Sequence, residues 1–234
     1  MTMLSLLFVF ALATVDLDMV TVPPTAEVRI VLTPGARSEI KREDSVTRIK
    51  IDIDRVAAPS THGPAFNTYV VWAISPEGIL DNLGELDVKG TKGQFLATTR
   101  LTQFGILVTA EPHYMVDQPS SAIAYRSQGP ETDFRRKKAP VEVGAYDYSQ
   151  IKSTAAPAAA IHNSVIQARA AFQIAQAAGA DRLASTEFRN AQVALGGMEE
   201  LVNRAAPFDI LWPTANDAIR WSQRAATAAR AAKK

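Results

Sequence analysis

The spacing of apolar residues changes once along this chain, and that change constrains the fold more than any other feature. From residue 21 to residue 128, apolar and polar residues tend to alternate, which is the two-residue period of a half-buried strand. From residue 158 onward, apolar residues recur every three or four positions, as in a helix with one buried stripe. The sequence therefore predicts an α+β protein of two domains, with strands first and helices second.

The first half predicts an antiparallel β-sandwich of about seven strands. In the clearest strand, Val46–Asp54, three isoleucines fall on one face while Lys50, Asp52 and Asp54 fall on the other. Asp52 and Asp54 could bind a cation, but a solvated strand face is the simpler explanation and is the expected structure. The remaining strands are separated by Gly- and Pro-containing turns and are predicted at residues 26–32, 68–74, 80–88, 94–100, 105–112 and 122–126.

The second half predicts an alanine-rich antiparallel bundle of three helices. Gly179 ends the first helix, Asp181 is the expected N-cap of the second, Pro207 closes it, and Thr214 caps the third. Alanine provides 25 of the 84 residues from 151 to 234. Such small seam residues bring helix axes close together but bury little area, so we expect the bundle to pack on the sandwich or on another copy.

The amino terminus resembles a signal peptide. Residues 3–13, "MLSLLFVFALA", form an apolar run that ends in an Ala-x-Ala site, and cleavage there would leave Thr14 first. No Lys or Arg precedes the run, and the alternative is that residues 4–15 form the first strand. We expect export, to the periplasm or the medium. The domain prediction is a signal peptide at 1–13, the sandwich at 14–126, a linker at 127–157 and the helical domain at 158–234.

Three short motifs in the first half resemble a known family. They are Tyr69-x-x-Trp72, then Leu83-Gly84-Glu85-Leu86, and then Val108-Thr109-Ala110-Glu111-Pro112. Together they resemble the extracytoplasmic C-terminal β domain of anti-sigma-K factors over about residues 66–120. The resemblance implies a non-catalytic, envelope-side β-sandwich. The sigma-binding and transmembrane parts of that family have no counterpart ahead of these residues, so sigma-factor binding is not expected.

Two features of this stretch bear on where a site could lie. Trp72 is expected to fill the sandwich interior, with Gly84 easing the return strand; a ligand-binding role is the alternative. Residues 113–118 replace the Gly-Gly-Ser loop of the family, so any ligand site is expected along the loops after Pro112.

The second half is similar to an alanine-rich helical domain of unknown function found in bacterial envelope proteins. The likeness rests on Ala-x-x-x-Ala rows and on Phe188-x-x-Ala191. Trp212 and Trp221 are expected to pack against the β domain, with sugar stacking as the alternative.

Composition and motifs exclude several functional classes. The net charge is +1 and the positive charges are not interleaved with aromatic residues, so no nucleic-acid partner is expected. Zero cysteines remove disulfides and thiol chemistry, and the three histidines are scattered. No catalytic, cofactor-binding or metal-binding residue is predicted. The basic run at residues 135–138 is expected to be a solvated linker, with a peripheral contact to an anionic membrane surface as the weaker alternative.

The sequence therefore predicts a non-enzymatic, exported envelope protein that binds other proteins or cell-wall polymer. One alternative is a structural subunit that forms a homo-oligomer through its alanine seams. Another is a small-ligand binder, or a hydrolase, that uses the strand loops near His62 and His113. No cofactor is expected.

Overall fold

The computed structural model describes residues 12–128, 138–152 and 162–233. Within these ranges strands lie between residues 13 and 143 and α-helices between residues 163 and 231, so the mixed α+β class is confirmed. The strands are β1 (Ala13–Asp18), β2 (Val20–Thr21), β3 (Glu27–Thr33), β4 (Ala36–Glu43), β5 (Val46–Asp54), β6 (Thr68–Ile74), β7 (Leu80–Glu85), β8 (Asp87–Lys89), β9 (Lys92–Thr99), β10 (Gln103–Glu111), β11 (Ile123–Gln128) and β12 (Lys138–Val143).

Ten of these strands form one antiparallel sheet that curls until its ends nearly meet. Its order is β7-β6-β10-β11-β3-β4-β5-β9-β8, and β2 pairs with β10. β7 and β8 are one stretch divided by Leu86, so this stretch pairs with β6 at one end of the order and with β9 at the other. Thr99 Oγ1 donates to Asp81 Oδ2 at 2.7 Å and joins β9 to β7. The expected two-sheet sandwich of about seven strands is not confirmed.

The main core lies inside the curled sheet and follows from the two-residue period. On β5, Ile49, Ile51 and Ile53 point inward and are buried, whereas the alternate residues are exposed. Lys50 Nζ lies 3.0 Å from Asp52 Oδ2 on the outer face. That face of β5 is therefore a solvated, ion-paired surface.

β6 and β10 are buried on both faces. Tyr69, Val71 and Ala73 point into the curled sheet, while Trp72 points outward. This outer face is covered by a two-stranded antiparallel ribbon of β1 and β12, in which Ala13 is opposite Val143. Trp72 is 1% exposed, so it is a core residue, but it lies outside the curled sheet and does not fill its interior.

The described helices are α1 (Asn163–Ala177), α2 (Ala180–Leu183), α3 (Ser185–Asn203) and α4 (Phe208–Ala231). The fourth helix packs against both α1 and α3. The predicted three-helix bundle is not confirmed, because α2 is an additional short helix. One stripe of small residues on α4 is buried and comprises Ala215, Ala218, Ser222, Ala225 and Ala229.

Two predicted helix caps are wrong. Gly179 directly follows the C-cap of α1 and ends that helix as predicted, but it is also the N-cap of α2, so the predicted cap Asp181 lies in the first turn of α2. α4 begins at Phe208 and continues through Pro213, so Thr214 lies inside the helix, where its hydroxyl donates to the Ile210 carbonyl at 3.3 Å. The spacing of apolar residues predicted the buried face of α4 correctly. It did not predict where the helix begins, because the first turns of α4 are mostly exposed.

The helices pack directly on the sheet. Gln167 of α1 accepts from the backbone N–H of Tyr114 at 2.9 Å and donates to Glu85 Oε1 at 2.7 Å. The Tyr114 hydroxyl donates to Asn216 Oδ1 of α4 at 3.0 Å. Of the predicted linker, residues 138–143 form β12. The run at 135–137 and the predicted signal peptide up to residue 11 lie outside the described residues.

Candidate functional site

The outer face of β10 carries a chain of buried polar groups. Trp72 Nε1 donates to Thr109 Oγ1 at 2.9 Å, and Thr109 Oγ1 donates to Glu111 Oε1 at 2.5 Å. The backbone N–H of Ser120 donates to the same Glu111 oxygen at 2.7 Å, and the Ser120 hydroxyl donates to the Ala110 carbonyl. These bonds fix the turn after residue 118 against the end of β10.

Glu111 is a fully buried carboxyl group. Burial raises the pKa of Glu111 to about 8, against the lowering effect of its hydrogen bonds from Ser120 and Thr109. The group is therefore mostly protonated at neutral pH. Its Oε2 atom has no hydrogen-bond partner among the residues that the structure describes.

His113 is the second buried titratable group and follows Glu111 by two residues. Burial, together with the nearby Arg230 guanidinium, lowers the pKa of His113 to about 3. The imidazole is thus neutral, and neither ring nitrogen has a hydrogen-bond partner within the described part of the chain. The ring is fully buried, with the Arg230 guanidinium of α4 nearby.

A cavity of about 300 Å³ opens beside this polar chain. Three segments form it: the loop before β6, the turn at Ser120 and Ser121, and the segment that follows β12. Ser120 and Tyr148 belong to its wall, and both interact with Glu111, Ser120 by a hydrogen bond and Tyr148 electrostatically. The remaining lining residues are His62, Gly63, Pro64, Ala65, Phe66, Gly144, Tyr146, Asp147 and Ser149.

Three aromatic rings form a row along the cavity. The ring centroids of Phe66 and Tyr148 are 6.3 Å apart, and those of Tyr148 and Tyr146 are 6.4 Å apart, both in edge-on geometry. Gly63 has φ of 147°, and a Cβ there would lie 3.3 Å from the Phe66 ring. Glycine at this position therefore lets the loop approach the ring. Burial is the main cause that raises the pKa of Tyr148 well above its usual range, and the nearby Glu111 carboxyl contributes to the same shift.

Arg230 of α4 contacts the last ring of this row, Tyr146. Its guanidinium lies 3.4 Å from the centroid of the Tyr146 ring, a cation–π contact, and 3.8 Å from Asp117 Oδ1. Thr227 donates to Asp117 Oδ2 at 3.1 Å. Beyond Tyr146 lies a second cavity of about 220 Å³, whose lining includes Arg230 and Lys233.

The sequence predicted that any site lies in the loops after Pro112, with the loops near His62 and His113 as the ligand-binding alternative, and the structure separates these two histidines. His62 lies exposed on the wall of the larger cavity, whereas His113 is buried and does not line it. The side chains of residues 114 to 116 pack on the helices or the outer core instead. The described residues contain no group of three or more potential metal ligands.

Other residues singled out in the sequence lie away from this cavity. Trp212 is 48% exposed on α4, so it is not a core residue. Trp221 is half-buried, with the Arg224 guanidinium 5.1 Å from its ring. The aromatic row itself was missed, because Tyr146 and Tyr148 follow a strand without any periodic signal.

No family model matches the chain, and no match was found among curated proteins or solved structures. None of the helices in the described ranges has the length and hydropathy needed to span a membrane.

Proposed function

We propose that the protein is a non-enzymatic, exported module of the bacterial cell envelope that binds cell-wall polymer through the aromatic cavity. The observation that carries this proposal is the pair of half-buried rings, Phe66 and Tyr146, on either side of the buried Tyr148, with the exposed Ser121 and Ser149 in the same cavity wall. A sugar ring has apolar faces that stack on aromatic rings and a rim of hydroxyls that pair with polar side chains. Aromatic walls with a few placed polar groups are typical of ligand pockets of about 300–1,000 Å³, and this cavity of about 300 Å³ is of that kind.

The geometry of β1 is compatible with export. Thr14 is opposite Glu142 in the ribbon, so cleavage after Ala13 would remove only the first residue of β1. The resemblance to the anti-sigma-K β domain, proposed from the motifs around Trp72 and Glu111, supports the same compartment. We also propose that the ribbon and the outer face of the sheet act as the two layers of a sandwich, and that α1, α3 and α4 act as a bundle.

Cosedimentation with purified cell-wall sacculi tests the binding proposal. Removing the ring in Phe66→Ala should weaken binding about tenfold, since an aromatic contact contributes about 0.5–1.5 kcal/mol beyond its buried area. Trp212→Ala removes an exposed aromatic ring elsewhere and is the matched control. Loss of binding in Trp212→Ala with full binding in Phe66→Ala would contradict the proposed site.

Sequencing of the mature amino terminus after native expression tests the compartment. We expect Thr14 as the first residue, in the periplasm or the medium. A cytoplasmic chain that retains Met1 would exclude export.

Self-association is a second candidate function, and one observation favours it. Phe208, Ile210 and Trp212 are each about half exposed at the start of α4. The alanine seams expected to mediate it are buried inside the chain, so this apolar end of the helix would be the contact. A strict monomer in sedimentation at high concentration would exclude this candidate.

A further inference from the structure

The two cavities share one wall. Residues Tyr146, Asp147 and Tyr148 line both the larger, aromatic cavity and the smaller cavity beside α1 and α4. Tyr146 is half-buried between them. Both cavities therefore lie against the same three-residue segment, Tyr146 to Tyr148.

The charges differ between the two cavities. The larger cavity has one carboxylate in its wall, that of Asp147, whose oxygens already accept from the backbone N–H and hydroxyl of Ser149 at 2.8 and 2.9 Å. The smaller cavity adds two cations, Arg230 and Lys233. The smaller cavity therefore favours an anionic group, while the larger one favours an uncharged ring.

Arg230 is held in place for such a group. Its guanidinium stacks on the Tyr146 ring, and its separation of 3.8 Å from Asp117 Oδ1 is longer than a hydrogen bond. Guanidinium N–H donors therefore remain for another acceptor, and a carboxylate is the group that matches the guanidinium fork best.

We propose that the two cavities form one groove for an acidic glycan, with a sugar ring on the aromatic row and a carboxylate at Arg230 and Lys233. This inference rests on the proposed binding of wall polymer and specifies its chemistry. The ligand class is a polysaccharide of pyranose rings that bear carboxylate substituents.

Calorimetry with two tetrasaccharides tests the proposal. One is chitotetraose, which is neutral, and the other alternates N-acetylglucosamine with N-acetylmuramic acid, which has the same ring backbone and adds lactyl carboxylates. We expect the acidic sugar to bind about tenfold more tightly than the neutral one, as a charged hydrogen bond provides. Arg230→Gln should remove this preference, so that the two sugars bind with similar affinities.

Two further variants complete this experiment, one as a control and one as a second test. Arg224→Gln removes the other cation–π arginine of α4 and should leave both affinities unchanged. Lys233→Gln removes the second cation from an exposed helix end and should lower only the acidic affinity, by about threefold. This variant decides the proposal if Arg230→Gln fails to fold.

The outcomes separate this inference from the proposed function. Equal binding of both sugars, or an unchanged preference in both Arg230→Gln and Lys233→Gln, would overturn the acidic groove and leave wall-polymer binding in place. Binding of neither sugar or sacculi would overturn both.

Discussion

The two faces of β6 and β10 build two different cores. The face inside the curled sheet contributes apolar side chains such as Val71 and Ile106, whereas the outer face adds Trp72, Thr109 and Glu111. The side chains on both faces are buried. The difference teaches that one strand pair can form a largely apolar core on one side while burying a carboxyl group on the other, so that pH near neutrality acts on the outer core through Glu111.

The largest effect should come from Glu111. Its pKa is raised to about 8, so the stability due to its protonated form is complete below pH 4.5 and is lost as pH rises toward 8. The loss should total about 5 kcal/mol, since one pKa unit corresponds to about 1.4 kcal/mol. Urea unfolding of the native chain and of Glu111→Gln between pH 4.5 and 9 measures it as the growing difference between the two proteins, because His113 offsets the loss in the native chain below pH 6.5.

Glu111→Gln is the matched variant for this prediction. The amide oxygen can accept the same bonds from Thr109 and Ser120, but the group does not ionise, so the alkaline fall in stability should disappear. Glu142→Gln, an exposed change on β12, should retain the fall. If the stability of Glu111→Gln still falls at alkaline pH, the outer core does not control that fall.

His113 should produce the opposite effect, a fall in stability as the pH becomes acidic. Its pKa is lowered to about 3, so the stability due to the neutral ring is complete above pH 6.5 and is lost as pH falls toward 3. The shift corresponds to about 5 kcal/mol. His113→Leu should flatten the acid limb, whereas His62→Gln, at an exposed position, should not. Between pH 4.5 and 6.5 the loss of stability due to Glu111 and the gain due to His113 cancel. We therefore expect the free energy of unfolding to be constant over this range.

Removing the outer-core tryptophan should have the next largest effect. Trp72→Ala is expected to lower the free energy of unfolding by about 3–5 kcal/mol because it leaves a large cavity. Trp72→Phe keeps most of the ring but deprives Thr109 of its donor, at a cost of about 1–3 kcal/mol. Urea unfolding at pH 5.5 measures both. A loss below 1 kcal/mol in Trp72→Ala would mean that the outer core contributes little.

The smallest effect concerns how closely the ribbon lies on the sheet. A Cβ at Gly105 of β10 would be 2.4 Å from the Leu17 side chain, so Gly105→Ala should cost about 1–3 kcal/mol by overpacking. Leu17→Ala in the same chain should recover part of that loss. Gly196→Ala, where a Cβ meets no atom within 4 Å, should instead stabilise α3 by up to about 1 kcal/mol. Thermal unfolding compares the three variants.

The sequence predicted strands well where one face is clearly apolar. β5 and β6 have the predicted bounds, because alternation or a continuous apolar run marks them. β4 was missed because its inward residues include Ala36 and Ser38, which are too small or too polar to give a signal. The position of Trp72 could not be predicted either, since a strand buried on both faces does not tell which face is inside the sheet.

The candidate site was predictable only in part. Of the loops named in the sequence analysis, the structure places His62 and Ser120 on the cavity wall, whereas His113 is buried away from it. Tyr146 and Arg230 come from segments more than 80 residues apart in the chain, and neither belongs to a local motif. Their contact depends on α4 packing against the sheet, which is a tertiary effect that periodicity does not contain.

The shared stretch of β7 and β8 has a consequence for aggregation. Because residues 80–89 cover β6 on one side and β9 on the other, a single segment protects both ends of the strand order. Exposed strand edges are templates for pairing with other chains. Cleavage or loosening at Leu86 would uncover two such edges at once, so this short segment guards the folded protein against intermolecular strand addition.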